Sequence, residues 1–132
     1  MQVTGISGFG PVLSDTAGQE KLYTGDLGIA FEEVYDDYRF TEHLKGARHF
    51  SLMPLARLST SLFGGPAWPA DVTVPQAWVE FEVDDIHAAT QELQDRGYTL
   101  LVRARHEPWG QVITRLITDT GLMVGIVRNP EE

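Results

Sequence analysis

The chain has 132 residues, 42% of them hydrophobic, with no cysteine and a formal net charge of −9. This length allows one domain with a single buried core, and the lack of thiols excludes disulfides, a thiolate nucleophile and a cysteine-ligated metal. The acidity argues against a phosphate-binding surface, and it fits either simple solubility or long-range attraction of a cationic ligand.

The first elements are predicted to be a strand followed by a capped helix. Residues 6–13 alternate weakly around Pro11 and predict an edge-like strand, because proline donates no ladder hydrogen bond. Asp15 predicts a helix N-cap, and the helix is expected over 15–27, with an exit at Gly28. Its buried stripe is expected to hold Leu22, Tyr23 and Leu27.

Two further strands are predicted before the middle of the chain, over 28–34 and 46–55. The stretch 64–76 contains three prolines and is expected to form neither helix nor regular strand. We interpret it as a linker between a first module of about residues 1–63 and a second of about residues 77–128.

The second half repeats the pattern of the first, about seventy residues later. A strand over 77–83 leads into Asp85 as N-cap and a helix over 85–96 that stops at Gly97. The remaining strands are predicted over 98–104, 111–118 and 122–128. The repeat predicts an α+β fold built from two βαβββ modules.

Three segments of the second half carry a resemblance to a known family. They are Trp-Val-Glu-Phe-Glu-Val-Asp-Asp at 78–85, Glu-Pro-Trp-Gly-Gln at 107–111 and Asp-Thr-Gly-Leu-Met-Val-Gly-Ile at 119–126. In this order they resemble the vicinal-oxygen-chelate superfamily of glyoxalase I, extradiol dioxygenases and bleomycin-resistance proteins. The Pro-Trp-Gly segment is most similar to the bleomycin-resistance branch. The resemblance implies curved mixed sheets that form a cup, with modules paired across a homodimer in that branch.

The resemblance also implies four positions for the ligands of a divalent metal in the enzymes of the superfamily. Three of them fall on Gly8, Trp78 and Gly125, and none of these side chains can ligate a metal. The fourth falls in the strand around 50–53, where His49 is the nearest possible ligand. We therefore expect no metal or other cofactor, and we favour binding over catalysis.

Strand alternation defines the face of residues 77–83 that should look into the cup. It sets Trp78, Glu80 and Glu82 on one side and Val79, Phe81 and Val83 on the other, against the second helix. An aromatic wall beside a carboxylate suits a flat, cationic or amine-bearing ligand. Alternatively, Trp78 fills the core and Glu80 pairs with an arginine.

The predicted ligand-binding residues include Trp78 and Glu80 together with other residues that are expected near the cup. The set is His49, Phe50, Trp78, Glu80, His106, Trp109 and Arg115. By resemblance the Trp109 loop borders the binding cleft, although it could instead seal the rim. Arg115 is expected either to pair with a glutamate or to receive an anionic ligand, so the charge of the ligand stays open. No residue is assigned a catalytic role.

These observations favour a metal-free, homodimeric protein that sequesters an antibiotic-like small molecule, cationic or aromatic. The alternative is a metal-dependent glyoxalase-type lyase or isomerase, or a dioxygenase, with a rearranged site at His49, Glu80 and His106. A third hypothesis is an effector-sensing or protein-interaction module. No nucleic-acid or membrane partner is expected. No apolar run is long enough to cross a bilayer and no basic leader opens the chain, so we expect a cytoplasmic protein.

Overall fold

A computed structural model of the chain describes residues 1–33 and 36–130. Their strands are β1 (Val3–Leu13), β2 (Glu32–Glu33), β3 (Arg39–Thr41), β4 (His49–Pro54), β5 (Ala77–Val83), β6 (Val102–His106), β7 (Val112–Ile117) and β8 (Leu122–Arg128). Their helices are α1 (Thr16–Gln19), α2 (Leu55–Phe63) and α3 (Ile86–Asp95), with a π-helical turn at Leu22–Asp26. No described helix is long and apolar enough to cross a membrane.

The described strands form one curved mixed sheet in the order β2-β3-β4-β1-β5-β8-β7-β6. In the first half β1 runs parallel to β4, and in the second half β5 runs parallel to β8. The two halves meet where β1 pairs antiparallel with β5. The predicted α+β fold of two βαβββ modules is confirmed, and within this chain the modules pair with each other. The homodimer stays a prediction.

β1 lies in the middle of the sheet, between β4 and β5, so the prediction of an edge-like strand was wrong. Pro11 faces Ala77 near the end of this strand. The missing donor of Pro11 is tolerated because the next residue, Val12, donates its N–H to the Gln76 carbonyl at 3.0 Å.

The predicted first helix is broken into α1 and the π-helical turn. Gly18 and Gly25 lie inside the predicted span, and glycine weakens a helix by about 1 kcal/mol relative to alanine. In the π-helical turn Leu27 N–H donates to the Leu22 carbonyl at 2.8 Å, which widens the turn. Leu22 and Leu27 are 51% and 60% exposed, so the predicted buried stripe was wrong for both, and Tyr23 is half-buried.

Two further boundaries differ from the prediction, and two elements, β3 and α2, were not predicted. The strand predicted over 28–34 is reduced to β2, and residue 34 lies outside the described residues. The strand predicted from residue 98 begins at Val102 as β6. Helix α2 was not predicted at all. Its apolar residues Leu58 and Leu62 recur at helical spacing, and it ends at Gly64 in the left-handed conformation.

The structure of the second module agrees with the prediction more closely than that of the first. Helix α3 packs on one face of the sheet, which we call the helix side, and the buried cluster there contains Val83, Ile86, Ala89, Leu93, Leu100, Leu116 and Ile126. Asp85 caps α3 by accepting the Ala88 N–H at 3.0 Å. Asp15 caps α1 by accepting the Gly18 N–H at 3.3 Å. Both predicted caps are therefore present.

Replacing the cap of α3 should lower stability without touching the cup. We expect Asp85→Ala to lower the free energy of unfolding by about 1 kcal/mol, because the Ala88 N–H loses its acceptor. The matched control is Asp84→Ala, at an exposed neighbour with no capping bond, which should change it by less than about 0.5 kcal/mol. Urea denaturation measures both, and equal losses would contradict the capping role.

Candidate functional site

A row of facing residues crosses the inner face of the sheet, which is the face opposite α3. The strand register sets His49, Gly8, Glu80, Gly125 and Arg115 side by side on β4, β1, β5, β8 and β7. Three predicted ligand-binding residues, His49, Glu80 and Arg115, therefore lie in one row across the sheet. We call the inner face, together with the side chains that cover it, the cup.

Two glycines in this row make room for their neighbours. A side-chain carbon on Gly8 would overlap the His49 imidazole, and one on Gly125 would lie 2.9 Å from Cγ of Glu80. The His49 and Glu80 side chains thus occupy the space above the two glycines. Side chains from the neighbouring strands fill the space above both glycines, so neither position is an open hole.

Glu80 and Arg115 form a buried ion pair at the centre of the cup. Arg115 Nη2 donates to Glu80 Oε2 at 3.4 Å, and the two residues are only 7% and 5% exposed. Burial raises the pKa of the Glu80 carboxyl, and the guanidinium of Arg115 offsets this only in part. The predicted alternative that Glu80 pairs with an arginine is thus what the structure contains.

Trp78 packs into the apolar part of the cup. It belongs to a buried cluster with Met53, Leu58 and Met123. Its indole Nε1 is buried and has no hydrogen-bond partner among the described residues. A cavity of about 10 Å³, close to the space of one water molecule, is bordered by Trp78, Glu80 and Arg115. The cup therefore contains an unsatisfied donor beside a buried ion pair.

His49 lies on the other side of Trp78. The centroids of the imidazole and indole rings are 5.6 Å apart. Burial lowers the pKa of His49, which favours the neutral imidazole. A neutral imidazole can accept as well as donate a hydrogen bond at the edge of the cup.

Three residues of the cup were missed by the sequence interpretation. The Tyr38 hydroxyl donates to Ser51 Oγ at 2.8 Å, and burial raises the pKa of this tyrosine. The Arg57 guanidinium lies 4.4 Å from the centre of the Tyr38 ring, a cation–π distance. Nothing in the sequence pattern signalled them, because Arg57 lies on the unpredicted helix α2 and Tyr38 precedes a three-residue strand.

Helix α2 and the following loop cover the cup. Leu58 and Leu62 of α2 pack against the Trp78 cluster, as does Trp68 of the predicted linker. On the far side Arg105 of β6 donates to the Ser61 carbonyl at 2.8 Å and to its hydroxyl at the same distance. These contacts close the cup in this conformation.

The other predicted ligand-binding residues lie outside the cup. Phe50 follows His49 by one residue, so strand alternation turns it to the helix side, where its ring is 5.2 Å from that of Phe9. His106 is exposed on the edge strand β6, with four strands between it and β4. Phe50 and His106 therefore do not lie in the cup with His49, and a role of either in binding stays a prediction.

Trp109 lies at the rim, in the loop between β6 and β7. It is 47% exposed, and its Nε1 donates to Gln111 Oε1 at 2.6 Å. Gln111 in turn donates to Asn129 Oδ1 at 2.6 Å, and the Asn129 side-chain amide donates to Glu82. This chain of hydrogen bonds fits the interpretation that the Trp109 loop seals the rim.

The donor set of the cup does not fit the divalent metal of the superfamily. The implied positions carry glycine or an indole, and the space above the glycines holds His49 and Glu80. In residues 1–33 and 36–130 no three His, Asp, Glu or Cys side chains are grouped as metal ligands. The rearranged site of His49, Glu80 and His106 is not assembled.

Solved structures show what fold this geometry represents. Methylmalonyl-CoA epimerase from Mycobacterium tuberculosis superposes with a TM-score of 0.62 at 19% identity, covering 98% of this chain and 90% of that chain. Streptomyces coelicolor methylmalonyl-CoA epimerase in complex with 2-nitronate-propionyl-CoA gives 0.60 at 17% identity, covering 98% and 100%. A glyoxalase/bleomycin resistance protein/dioxygenase superfamily member from Vibrio splendidus 12B01 gives 0.56 at 14% identity, covering 94% and 97%.

Neither a protein-family model nor a curated protein matches the sequence of the chain. The similar structures include epimerases and do not single out the bleomycin-resistance branch. Each of the three superposes over at least 94% of this chain, so they share its overall fold. The chain has the fold of the vicinal-oxygen-chelate superfamily.

Proposed function

We propose that this protein binds a small organic molecule in the cup without a metal, and that it acts by sequestration. The observation that supports this most directly is the buried Trp78 Nε1, which lacks a partner among the described residues and lies beside the Glu80–Arg115 pair. A buried donor without an acceptor costs about 1–3 kcal/mol. An acceptor atom of a ligand would recover this free energy.

The polar groups of the cup favour a ligand with an anionic or neutral acceptor. Glu80 already pairs with Arg115, so a cationic ligand would have to displace a buried guanidinium. The ligand class that we propose is therefore a flat aromatic or unsaturated molecule with a carboxylate or carbonyl group, antibiotic-like in size. This ligand class replaces the cationic preference that was expected from the net charge and from the Glu80 carboxylate beside Trp78.

Entry of such a ligand requires the cover of the cup to move. The free space of about 10 Å³ admits no more than a water molecule. The cover is held by the apolar contacts of Leu58 and Leu62 and by the bonds between Arg105 and Ser61. We propose that α2 and residues 64–76 swing outward as the ligand takes the place of the Trp78 contacts.

The first test compares two tryptophan variants. We expect Trp78→Phe to weaken binding of an aromatic carboxylate about tenfold. The variant keeps an aromatic ring at position 78 but loses the indole N–H that would donate to the ligand. Phenylalanine is smaller and leaves a cavity in the cluster, so removal of the unsatisfied buried donor should offset the loss of stability only in part. Trp109→Phe is the matched control, because its N–H is bonded to Gln111 at the exposed rim.

The measurement is isothermal titration calorimetry with hits from a thermal-shift panel of aromatic carboxylates and their matched amides and amines. Wild-type affinity in Trp78→Phe, or a preference for the amines, would contradict the assigned cup chemistry. Equal losses in both tryptophan variants would indicate a site at the rim.

A second candidate is a metal-free proton-transfer enzyme, which the raised pKa of Glu80 favours. A carboxylate with a raised pKa, buried in a closed cup, is a competent general base. The epimerases of the same fold make methylmalonyl-CoA a sensible probe. In D2O, exchange of its α-hydrogen above the protein-free rate, abolished in Glu80→Gln, would support the enzyme. Exchange at the protein-free rate supports the binding protein.

The pH dependence of stability tests the environment of Glu80. Its native pKa is raised above the ordinary 4.5, so the native state holds this proton more tightly than the unfolded state does. The resulting stability is fully present below pH 4.5 and is lost as pH rises through the native pKa. We therefore expect wild type to lose stability relative to Glu80→Gln over this window.

Urea denaturation at about pH 4 and about pH 7.5 measures this difference. Glu32→Gln serves as the control, because Glu32 is exposed on β2 and should leave the pH dependence unchanged. A difference between wild type and Glu80→Gln that does not vary with pH would contradict the raised pKa.

A further inference from the structure

Strand β6 contains a bulge that changes the direction of Arg105. Between Val102, which faces Arg115 on β7, and Arg105, which faces Ile113, β6 has one residue more than β7. Paired residues share a face of the sheet, and Arg115 lies on the inner face, so Val102 and Arg105 both point inward. Without the extra residue, strand alternation would turn Arg105 to the helix side. The bulge therefore brings the Arg105 side chain to the face that carries the cup.

The bulge has a strained backbone that a buried network holds in place. Ala104 has a φ of 42°, in the left-handed region that is unfavourable for a residue with a side chain. Its N–H donates to Thr114 Oγ1 at 2.8 Å, and this hydroxyl lies 2.5 Å from that of Thr90 on α3. Both threonines are buried. Backbone strain that the surrounding structure maintains in this way clusters at functional sites.

Arg105 joins the cover of the cup to the edge of the sheet. Its Nη1 donates to the Ser61 carbonyl and its Nη2 to the Ser61 hydroxyl, both at 2.8 Å. Its Nε and Nη2 also lie 2.9 and 2.8 Å from Oε1 of Glu107, whose side chain is 8% exposed. The Glu107 carboxylate therefore orients the guanidinium toward α2. Hydrogen bonds from a charged donor are stronger than those between neutral groups.

The same contact caps the C-terminal end of α2. The Ser61 carbonyl lies in the last turn of this helix, where carbonyl groups have no partner within the helix. A guanidinium at this end also interacts favourably with the helix dipole. At the other end, Pro54 occupies the N-cap and makes no side-chain capping bond. Because a helix of nine residues is marginal by itself, its position depends on such tertiary contacts.

We propose that Arg105 is the latch of the cup: its contact with Ser61 holds α2 on the inner face, and loss of this contact releases α2 while the sheet stays folded. The bulge and Glu107 fix Arg105 to the sheet, whereas Ser61 moves with α2. The Arg105 side chain is 37% exposed, so water can replace Ser61 as its partner when the contact breaks. That this opening admits a ligand rests on the proposed function, and the latch itself does not.

Hydrogen–deuterium exchange of the intact protein, measured by mass spectrometry in a series of urea concentrations, tests the latch without a ligand. We expect the α2 amides to exchange through a local opening that depends only weakly on urea, unlike the slowest amides of α3. Arg105→Ala should speed α2 exchange about tenfold and keep this weak dependence. Arg103→Ala is the matched control, at an exposed arginine of the same strand, and should change α2 exchange less than about twofold.

Ser61→Ala tests the contact from its other side. It removes the hydroxyl but keeps the carbonyl, so α2 exchange should rise only about threefold. The double variant should exchange no faster than Arg105→Ala, because both substitutions act on one contact. Circular dichroism checks folding, and Ser61→Ala carries the test if Arg105→Ala does not fold.

Two results would overturn the proposal. One is wild-type α2 exchange in the folded variants. The other is a urea dependence of α2 exchange equal to that of the slowest α3 amides, which would mean that α2 leaves the sheet only when the whole chain unfolds. If Arg105→Ala releases α2 selectively and no aromatic carboxylate of the panel binds, the latch stands and the proposed function falls.

Discussion

The antiparallel pairing of β1 with β5 is the contact on which the rest of the structure depends. It joins the two βαβββ modules into one sheet and sets Gly8 opposite Glu80. From these two residues the outer pairs continue the row to His49 and to Gly125. A shift of one residue on β5 would turn Glu80 and Trp78 to the helix side, because side chains alternate along a strand. The chemistry of the cup is thus a consequence of one strand register.

At the positions that the superfamily implies for metal ligands, the cup has packed side chains of the protein instead. Two implied metal positions are glycines, and a neighbouring side chain lies over each, His49 in one case and Glu80 in the other. The third is Trp78, whose ring joins the apolar cluster under α2. The polar groups that remain form an ion pair and a hydrogen-bonded tyrosine, which suit recognition of a ligand better than coordination of a metal.

The sequence predicted the second module well because its signals are local. Asp85 as a cap, Gly97 as an exit and the alternation through 77–83 are each set by a few neighbouring residues. The first module was predicted less well because its structure depends on distant contacts. The existence of α2 depends on the packing of Leu58 and Leu62 against the Trp78 cluster.

The same limit applies to the candidate sites. Alternation alone predicted that Trp78 and Glu80 share a face, and the structure has them so. Tyr38 and Arg57 reach the cup only through the tertiary fold, so no spacing in the sequence could assign them. Phe50 was expected near the cup, but strand alternation from His49 turns it to the helix side.

Two features of the cup, the buried ion pair and the buried indole N–H, do not favour stability, and they lie next to each other. A buried ion pair is weak evidence of stabilisation, since apolar residues of similar volume often serve as well or better. Trp78 leaves a buried N–H without a partner among the described residues, which costs stability that an apolar side chain would not lose. Departures of this kind from the demands of folding concentrate at functional sites. Their meeting beside one small cavity under α2 is the structural argument on which the proposed binding of a ligand in the cup rests.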